Sequence, residues 1–567
     1  MSVIQLNEGS CVNCYKCIRE CPIKAIEFKD GRANIIEDEC VLCGTCVLTC
    51  PQGAKVVKNE VPSVKQLIQE GRKVYVTLAP SWVGWFDCSF AQLSAALKKI
   101  GFAGVEETAI GAAEVSREYA SLMQNGYMNS IIATACSSVV MLVERHFPEL
   151  IKMLAPISSP MMAHARIMRE MYGDIKVVFL GPCLSKKFES SDPLSGGLVN
   201  YALTFPTMEE WMHEEGVDPS TIEPDPDAKG VSEPVSRLYP TSSGILKTIG
   251  DESYHNYKPV AVDGLDRCLE LFSALRDGQV QHLFVEANIC AGSCIGGPVM
   301  RMHGKRPIVS AQKIGEEPMP QDAAPAPTAL QHVPHPRVFS NRAVKNKIPT
   351  EEQIREILTK IGKTSKEQEL NCGSCGYPSC RAKAIAVFQG KADINMCLPF
   401  LRQRAENLSN MVIEHSPNAI IALDNDFCVQ DLNPLALTML GQERSKIIGL
   451  PLPMFFGEND FDKCREEGVP AVKKYFSSEL DKSIEQTTLY IPEHRMYLVF
   501  IKDISEEEAR KKKLVEMRDS TVDIAQKVIE KQMVVAQEIA SLLGETTAET
   551  KVALTNLKKT MGTISED

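Results

Sequence analysis

Twenty of the 567 residues are cysteine, and most stand at the spacings of metal ligands. Cys11, Cys14, Cys17 and Cys21 precede Pro22, and the pattern returns as Cys40, Cys43, Cys46 and Cys50 before Pro51. In the run C-x2-C-x2-C-x3-C-P, three close thiolates grip one iron–sulfur cubane from a single loop, while the fourth, beyond a turn, reaches another. Cys11, Cys14, Cys17 and Cys50 are therefore expected to hold one 4Fe-4S cluster, and Cys40, Cys43, Cys46 and Cys21 a second. Two structural zinc sites are the alternative. Adjacent cubanes form a wire for single electrons.

A second set is dispersed. The apolar runs SIIATA, KVVFLGP and HLFVEANI end at Cys136, Cys183 and Cys290, and Cys294 follows the last. Ligands in open parallel sheets bind beyond the carboxyl ends of strands, so these thiols can converge on one buried 4Fe-4S cluster. Ordinary core cysteines are the alternative. A fourth run, VYVTLAP, ends at Ser81, and Gly292, Gly296 and Gly297 allow close backbone approach. The third set, Cys372, Cys375, Cys380 and Cys397, suits a further 4Fe-4S cluster or a four-cysteine zinc site. Cys88, Cys268, Cys428 and Cys464 are scattered and are expected to be small buried hydrophobes.

At roughly 150 residues per domain, the length implies about three or four domains. The 62 Lys and Arg against 73 Asp and Glu give a net charge of −11, which argues against a nucleic-acid binder. No apolar run approaches the roughly 18 residues of a membrane span. The start has no basic region followed by an apolar stretch, so no secretory signal and a cytoplasmic address are expected, where disulfides are rare. From about residue 73, apolar β-like runs (KVYVTLA, SIIAT, IKVVFL, HLFVEA) alternate with helical patterns such as Phe90–Ile100 and Gly111–Met123. The Pro- and Ala-rich stretch 314–336 reads as a linker, and its His332 and His335 as solvated linker residues. Residues 411–505 alternate short strands and helices and end in MYLVFIKD. Beyond them Leu514, Met517, Ile524, Val528, Val535, Ile539 and Leu542 form an apolar stripe suited to a neighbouring helix or a dimer mate.

The paired cysteine runs are those of bacterial two-cluster ferredoxins, and over residues 1–335 the chain resembles the FeFe-hydrogenase family. Thr134-Ala135-Cys136-Ser137-Ser138 stands where that family has T-S-C-C-P, and Gly181-Pro182-Cys183 with Lys186 and Glu189 where it has M-P-C-x-x-K-x-x-E. Glu286 to Gly297 stands where it has E-x-M-x-C-x-x-x-C-x-G-G. The resemblance implies that Cys136, Cys183, Cys290 and Cys294 hold the 4Fe-4S part of an H-cluster. Cys294 would bridge to a diiron subsite carrying CO, cyanide and an amine dithiolate, with Lys186 donating to one cyanide and Ser81, after Pro80, contacting the other.

The departures matter too. Catalytic members have a proton-shuttling thiol at the position of Ala135, and a methyl group cannot relay a proton. Their relay glutamate aligns with Tyr119, beside Glu118. Gly181 and Asn288 replace methionines that pack on the diiron unit. A site that binds hydrogen gas but turns it over slowly is expected. The third cysteine set resembles a small iron–sulfur domain of redox and corrinoid proteins, and EHSPNAIIALDNDFCVQDLNPLALTMLG resembles the opening of a PAS domain.

The expected fold class is multidomain α/β and α+β. A two-cluster ferredoxin module spans 1–60, an FeFe-hydrogenase α/β domain 73–335, a small 4Fe-4S domain 350–405, a PAS domain 411–505 and C-terminal signalling helices 506–567. The expected function is a sensory FeFe-hydrogenase whose partners are hydrogen gas, protons, a redox partner and a separate kinase or phosphatase, with a homodimer formed through the PAS domain and C-terminal helix. A metabolic ferredoxin-linked hydrogenase and an iron–sulfur scaffold lacking the diiron subsite are the alternatives.

Overall fold

The computed structural model describes residues 2–228, 234–316, 336–452, 461–478, 480–543 and 547–562. They form two units, Met1–Leu401 and Arg402–Asp567. His332 and His335 lie outside the described residues, and residues 314–316 of the expected linker are the end of the helix Pro307–Glu316.

At the N-terminus the two cysteine runs fold as copies. Asn13 and Tyr15 in the first, and Leu42 and Gly44 in the second, have left-handed backbone. Each loop curls and then opens into a one-turn helix, Lys16–Glu20 or Thr45–Thr49. Two small antiparallel ladders frame them: β1 (Ile4–Leu6) on β4 (Lys55–Val57), and β2 (Ile26–Lys29) on β3 (Arg32–Ile35). Gly44 meets the next domain so closely that a Cβ there would stand 2.4 Å from Pro298. His146 bonds to the Glu39 carbonyl, and Arg145 donates to the carbonyls of Glu37 and Cys40.

The following residues build two parallel sheets. One has the order β6 (Gly104–Glu107), β5 (Val74–Leu78), β8 (Lys176–Leu180), β9 (Tyr201–Leu203). The other has the order β10 (Lys258–Asp263), β11 (Leu283–Asn288), β7 (Ile131–Ile132). Helices cover the strands, so β6 and β11 are buried throughout, and the start of β11 reads as a continuous rather than an alternating apolar run. All four expected strands are present, although SIIAT contributes only Ile131–Ile132. Its ladder stops where the Thr134 N–H turns away to the Tyr119 hydroxyl. The strands GVEE, YAL and KPVAVD are too short or too polar to register as apolar runs. The helices Phe90–Lys99, begun by a Ser89–Gln92 capping box, and Ala109–Asn125 match the helical patterns.

The third cysteine segment has two helices, Glu351–Lys360 and Cys380–Phe388, and packs on the ferredoxin-like loops. Lys24 Nζ donates to the Gly376 carbonyl (3.0 Å), and the Phe28 N–H to that of Lys391 (2.8 Å). Of the scattered cysteines, Cys268 and Cys464 are buried as expected. Cys88, in a bend, and Cys428, in an isolated bridge to Pro451, are only partly so.

In the second unit, β12 (Ala419–Leu423), β13 (Val429–Leu432), β14 (Ala471–Ser477), β15 (Lys482–Ile491) and β16 (Met496–Asp503) form an antiparallel sheet of order β13-β12-β16-β15-β14. Buried Asn433 is its hub: Oδ1 accepts from the N–H groups of Ala436 and Ile420, and Nδ2 donates to the carbonyls of Ile413 and Asn418. Asn433→Ala removes a helix cap from the buried Ala436 N–H and the partner of three further backbone groups, so a loss of about 2–3 kcal/mol is expected in denaturant unfolding of this unit. The helix Ser505–Leu543 follows β16, and Leu514, Met517, Ile524, Val528, Val535 and Ile539 stand exposed on it in the single chain. No described helix is long and apolar enough to cross a membrane.

Candidate metal and active site

Several thiols of each expected set lie within charge range of one another. Burial and the charge of Cys43 push Cys21 up to about 11. Cys40, pushed to about 12 chiefly by burial, feels Cys43 and Cys21, while Cys46 feels all three. Cys21 thus joins the second run's loop. Cys17 is raised by burial and then by Cys11 and Cys14, and Cys50 Sγ accepts from the Ala54 N–H (3.3 Å). In the third set Cys375 feels Cys397, and Lys383 lies in the field of Cys397, Cys375 and Cys380. Cys372 is exposed, its thiol lowered by hydrogen bonds from Ser374.

The strand-end thiols also meet. Cys183 follows β8 in one sheet, and Cys290 follows β11 in the other. Cys290 is raised by burial, then by Cys183, Cys136 and Cys294; Cys294 is raised by burial, then by Cys183 and Cys136. Four crowded thiolates in apolar surroundings are costly unless a cationic centre binds them. A Cβ on Gly297 would stand 3.0 Å from the Cys294 carbonyl and 3.6 Å from Cys290 Sγ, a close backbone approach.

Against these sulfurs lies a cavity of about 100 Å³ whose walls include Ser81, Thr108, Ala135, Lys186, Asn288 and Cys294. Pro80, Cys136 and Cys183 line it too. Ser81 Oγ is buried with no protein partner. Lys186 Nζ donates to the Ala135 carbonyl (3.1 Å) and to Glu189 Oε2 (2.6 Å). Glu189 is fully buried and also receives Ser137 Oγ and Arg337 Nη1, each at 2.5 Å. Burial alone would raise its carboxyl, but Lys186 and Arg337 hold it at about 2. Arg337 follows the Pro-rich stretch and had no motif to mark it. The Lys186–Glu189–Arg337 cluster therefore carries one net positive charge beside the cavity.

The departures have physical counterparts. Tyr119 is fully buried, its oxygen accepting the Thr134 N–H at 2.8 Å, and burial pushes its phenol to about 12. At the position aligned with the relay glutamate there is thus a locked phenol, with Ala135 adjoining Thr134. A Cβ on Gly181 would stand 2.6 Å from the Phe179 ring, which lines the cavity and takes the space of a longer side chain. Asn288 Nδ2 donates to Glu286 Oε1 (3.3 Å). Glu286 is raised by burial to about 7, although N–H groups at the start of the helix Gly244–Ile249, including that of Leu246 (3.0 Å), donate to it. Its perturbation was not legible beforehand, because that helix is remote in sequence.

Residues 72–298 match the family model "Iron only hydrogenase large subunit, C-terminal domain", residues 10–54 that of a 4Fe-4S dicluster domain, and residues 368–399 one for an Fe-S cluster segment. A component of the ion-translocating oxidoreductase complex of Azoarcus sp. (strain BH72) is 33% identical over 72 residues, 11% of this chain and 39% of that protein. Its counterpart in Thiobacillus denitrificans is 38% identical over 50 residues, 9% of this chain and 27% of that protein. The chain thus spans well under half the length of these relatives. Among solved structures, FeFe-hydrogenase HydA1 of Chlamydomonas reinhardtii is similar at 16% identity and TM-score 0.39, covering 51% of this chain and 100% of that one. A PAS domain of an HTR-like protein from Haloarcula marismortui is similar at 21% identity and TM-score 0.16, covering 18% of this chain and 99% of that one. With an iron-only hydrogenase large-subunit domain joined to a 4Fe-4S dicluster module, the chain is a hydrogenase-like iron–sulfur protein.

Proposed function

We propose that this protein is a sensory FeFe-hydrogenase that reacts slowly with hydrogen gas and reports the result through its own clusters to a separate regulatory partner. The observation that supports this reading is a cavity lined by Cys136, Cys183, Cys294 and Lys186, with the Ala135 methyl on its wall where catalytic relatives have a thiol, and Tyr119 bonded to the Thr134 N–H. The residues fit the group the family implies. Cys136, Cys183, Cys290 and Cys294 would hold the cubane, while the Lys186 ammonium and the unpartnered Ser81 hydroxyl offer donors to anionic diatomic ligands. Such a group, when bound, supplies the metal centre at which hydrogen is split into two protons and two electrons. Buried apolar walls exclude water from it, and Glu189 keeps Lys186 in place.

The thiol contacts support an electron path. The charge of Cys43 reaches Cys290, so the loop of Cys40, Cys43, Cys46 and Cys21 adjoins the cavity's thiols. Lys24 and Tyr377 feel both Cys21 and Cys375, so the third set adjoins the same loop from another side. Cys397 ends that set and directly precedes the helix Leu398–Glu414, which leads in sequence to β12. The second unit, read as a PAS domain, and the helix Ser505–Leu543 would then carry the signal to a kinase or phosphatase.

Infrared spectra of the matured protein test this. Carbon monoxide and cyanide bands that change between argon and hydrogen are expected, and their absence removes the diiron site. Ala135→Cys is expected to raise turnover in a viologen assay by less than about tenfold, because the locked Tyr119 still interrupts a relay that is elsewhere worth ~10²–10⁴. A larger gain points to a metabolic enzyme limited by this residue alone.

A further inference from the structure

A slow hydrogenase still has to move protons, and with Ala135 and Tyr119 blocking one side of the cavity, another wall offers a continuous chain of exchangeable groups. Thr108 lines the cavity, and its hydroxyl stands 2.8 Å from Thr77 Oγ1. Thr77 Oγ1 is also 2.8 Å from His164 Nδ1, and His164 Nε2 is 3.1 Å from Glu106 Oε2. The Tyr172 hydroxyl donates to Glu106 Oε1. Thr77, Thr108, His164 and Glu106 are buried, whereas Tyr172 is only half-buried and stacks on Tyr75 with ring centroids 4.6 Å apart.

The fold holds the chain in order. Thr77 and Glu106 are register partners on β5 and β6, and Thr108 directly follows β6. His164 and Tyr172 project from the helix Pro160–Tyr172, eight positions apart and so on one face. That helix is pressed onto the helix Ala109–Asn125 at Gly111, where a Cβ would stand 2.3 Å from the Pro160 carbonyl oxygen and 2.7 Å from the His164 nitrogen. The imidazole backbone therefore has little freedom to shift. A buried histidine with a hydroxyl chain on one nitrogen and a carboxylate on the other is more than packing requires, since apolar side chains of similar volume would join helix to sheet at least as well.

We propose that Thr108, Thr77, His164 and Glu106 are a proton relay between the cavity and the surface at Tyr172. The inference rests on the hydrogenase reading, because it needs a proton acceptor and donor inside the cavity. Inward, the protonated Glu106 carboxyl gives its proton to His164 Nε2, and Nδ1 gives its own to Thr77 Oγ1. Thr77 passes a proton to Thr108, and Thr108 passes one into the cavity. Each hydroxyl ends with the one proton it began with, Glu106 ends as a carboxylate that Tyr172 reprotonates through its hydroxyl while taking a proton from solvent, and no electron moves. The imidazole ends with its proton on the other nitrogen, and a following outward transfer through the same contacts restores it. Outward transfer is the reverse. Thr77, His164 and Glu106 do not touch the reacting atoms and act through Thr108.

The test uses the full matured chain and follows its carbon monoxide and cyanide infrared bands after a rapid pH jump, which reports proton arrival without turnover. Thr77→Val keeps the shape and removes the hydroxyl, so the bands should keep their positions while converting at least about tenfold more slowly. Thr77→Ser keeps the hydroxyl and should retain half or more of the parent rate. Equal conversion rates for parent and Thr77→Val, with bands intact, overturn the relay and leave the hydrogenase reading standing. Absence of the bands from the parent protein overturns both. If Thr77→Val does not fold, Glu106→Gln at the outer end takes its place, and there too an unchanged conversion rate overturns the relay.

Discussion

A Cys294→Ser chain is expected to show no carbon monoxide or cyanide bands after maturation and hydrogen turnover below detection, while the visible absorption of its other iron–sulfur clusters persists. Cys294 lines the cavity with Cys136 and Cys183 and lies in their charge field, and in the proposed reading it is the sulfur that would be shared between the cubane and the diiron unit. A serine hydroxyl fits the space but ionises far above neutral pH and is a poor ligand for iron, which favours thiolates. Iron analysis checks the result: the chain should lose the iron of one cubane and of the diiron unit and keep the rest. Retention of the bands would move the diiron site away from Cys294 and undo the assignment of the cavity.

The second large effect concerns charge. Glu189→Ala is expected to destabilise the first unit by about 3–5 kcal/mol in denaturant unfolding, because it leaves Lys186 and Arg337 without their shared carboxylate in a buried setting. The same carboxylate sets an acid limit. Its folded value of about 2 lies below the ordinary 4.5 despite burial, because Lys186 and Arg337 outweigh desolvation. A depressed value stabilises the fold in the range above the ordinary value, so its contribution of about 3 kcal/mol is complete above pH ~4.5 and drains away as the pH falls towards ~2. Acid unfolding of parent and variant, followed by circular dichroism, should therefore converge only as the pH falls to about 2.

The candidate metal ligands were legible because ligand chemistry leaves a mark in spacing. The ferredoxin-like loops repeat one pattern, and the three apolar runs that end in cysteine do converge, although from two sheets rather than one. Lys186 and Glu189 were legible through their motif, and their contact is local, three positions apart on one helix. Arg337 was not, because it reaches Glu189 from 148 positions away with no periodicity to announce it. Glu286 gave no sign of its raised carboxyl, since that depends on burial beside a separate helix. The Thr77–His164–Glu106 chain was hidden for a similar reason: each residue alone reads as an ordinary member of a strand or helix, and only the register of β5 with β6 and the seating of one helix bring them together. Short strands such as β6 and β9 escaped because a few residues cannot show a period.

At a rise of about 1.5 Å per residue, the 39-residue helix Ser505–Leu543 is roughly 58 Å from end to end. It is a lever arm. Tilting its base by only about 5° sweeps the tip sideways by roughly 5 Å, close to the pitch of one helical turn. A displacement too slight to disturb the sheet that anchors it becomes, at the far end, large enough to exchange one set of surface contacts for another.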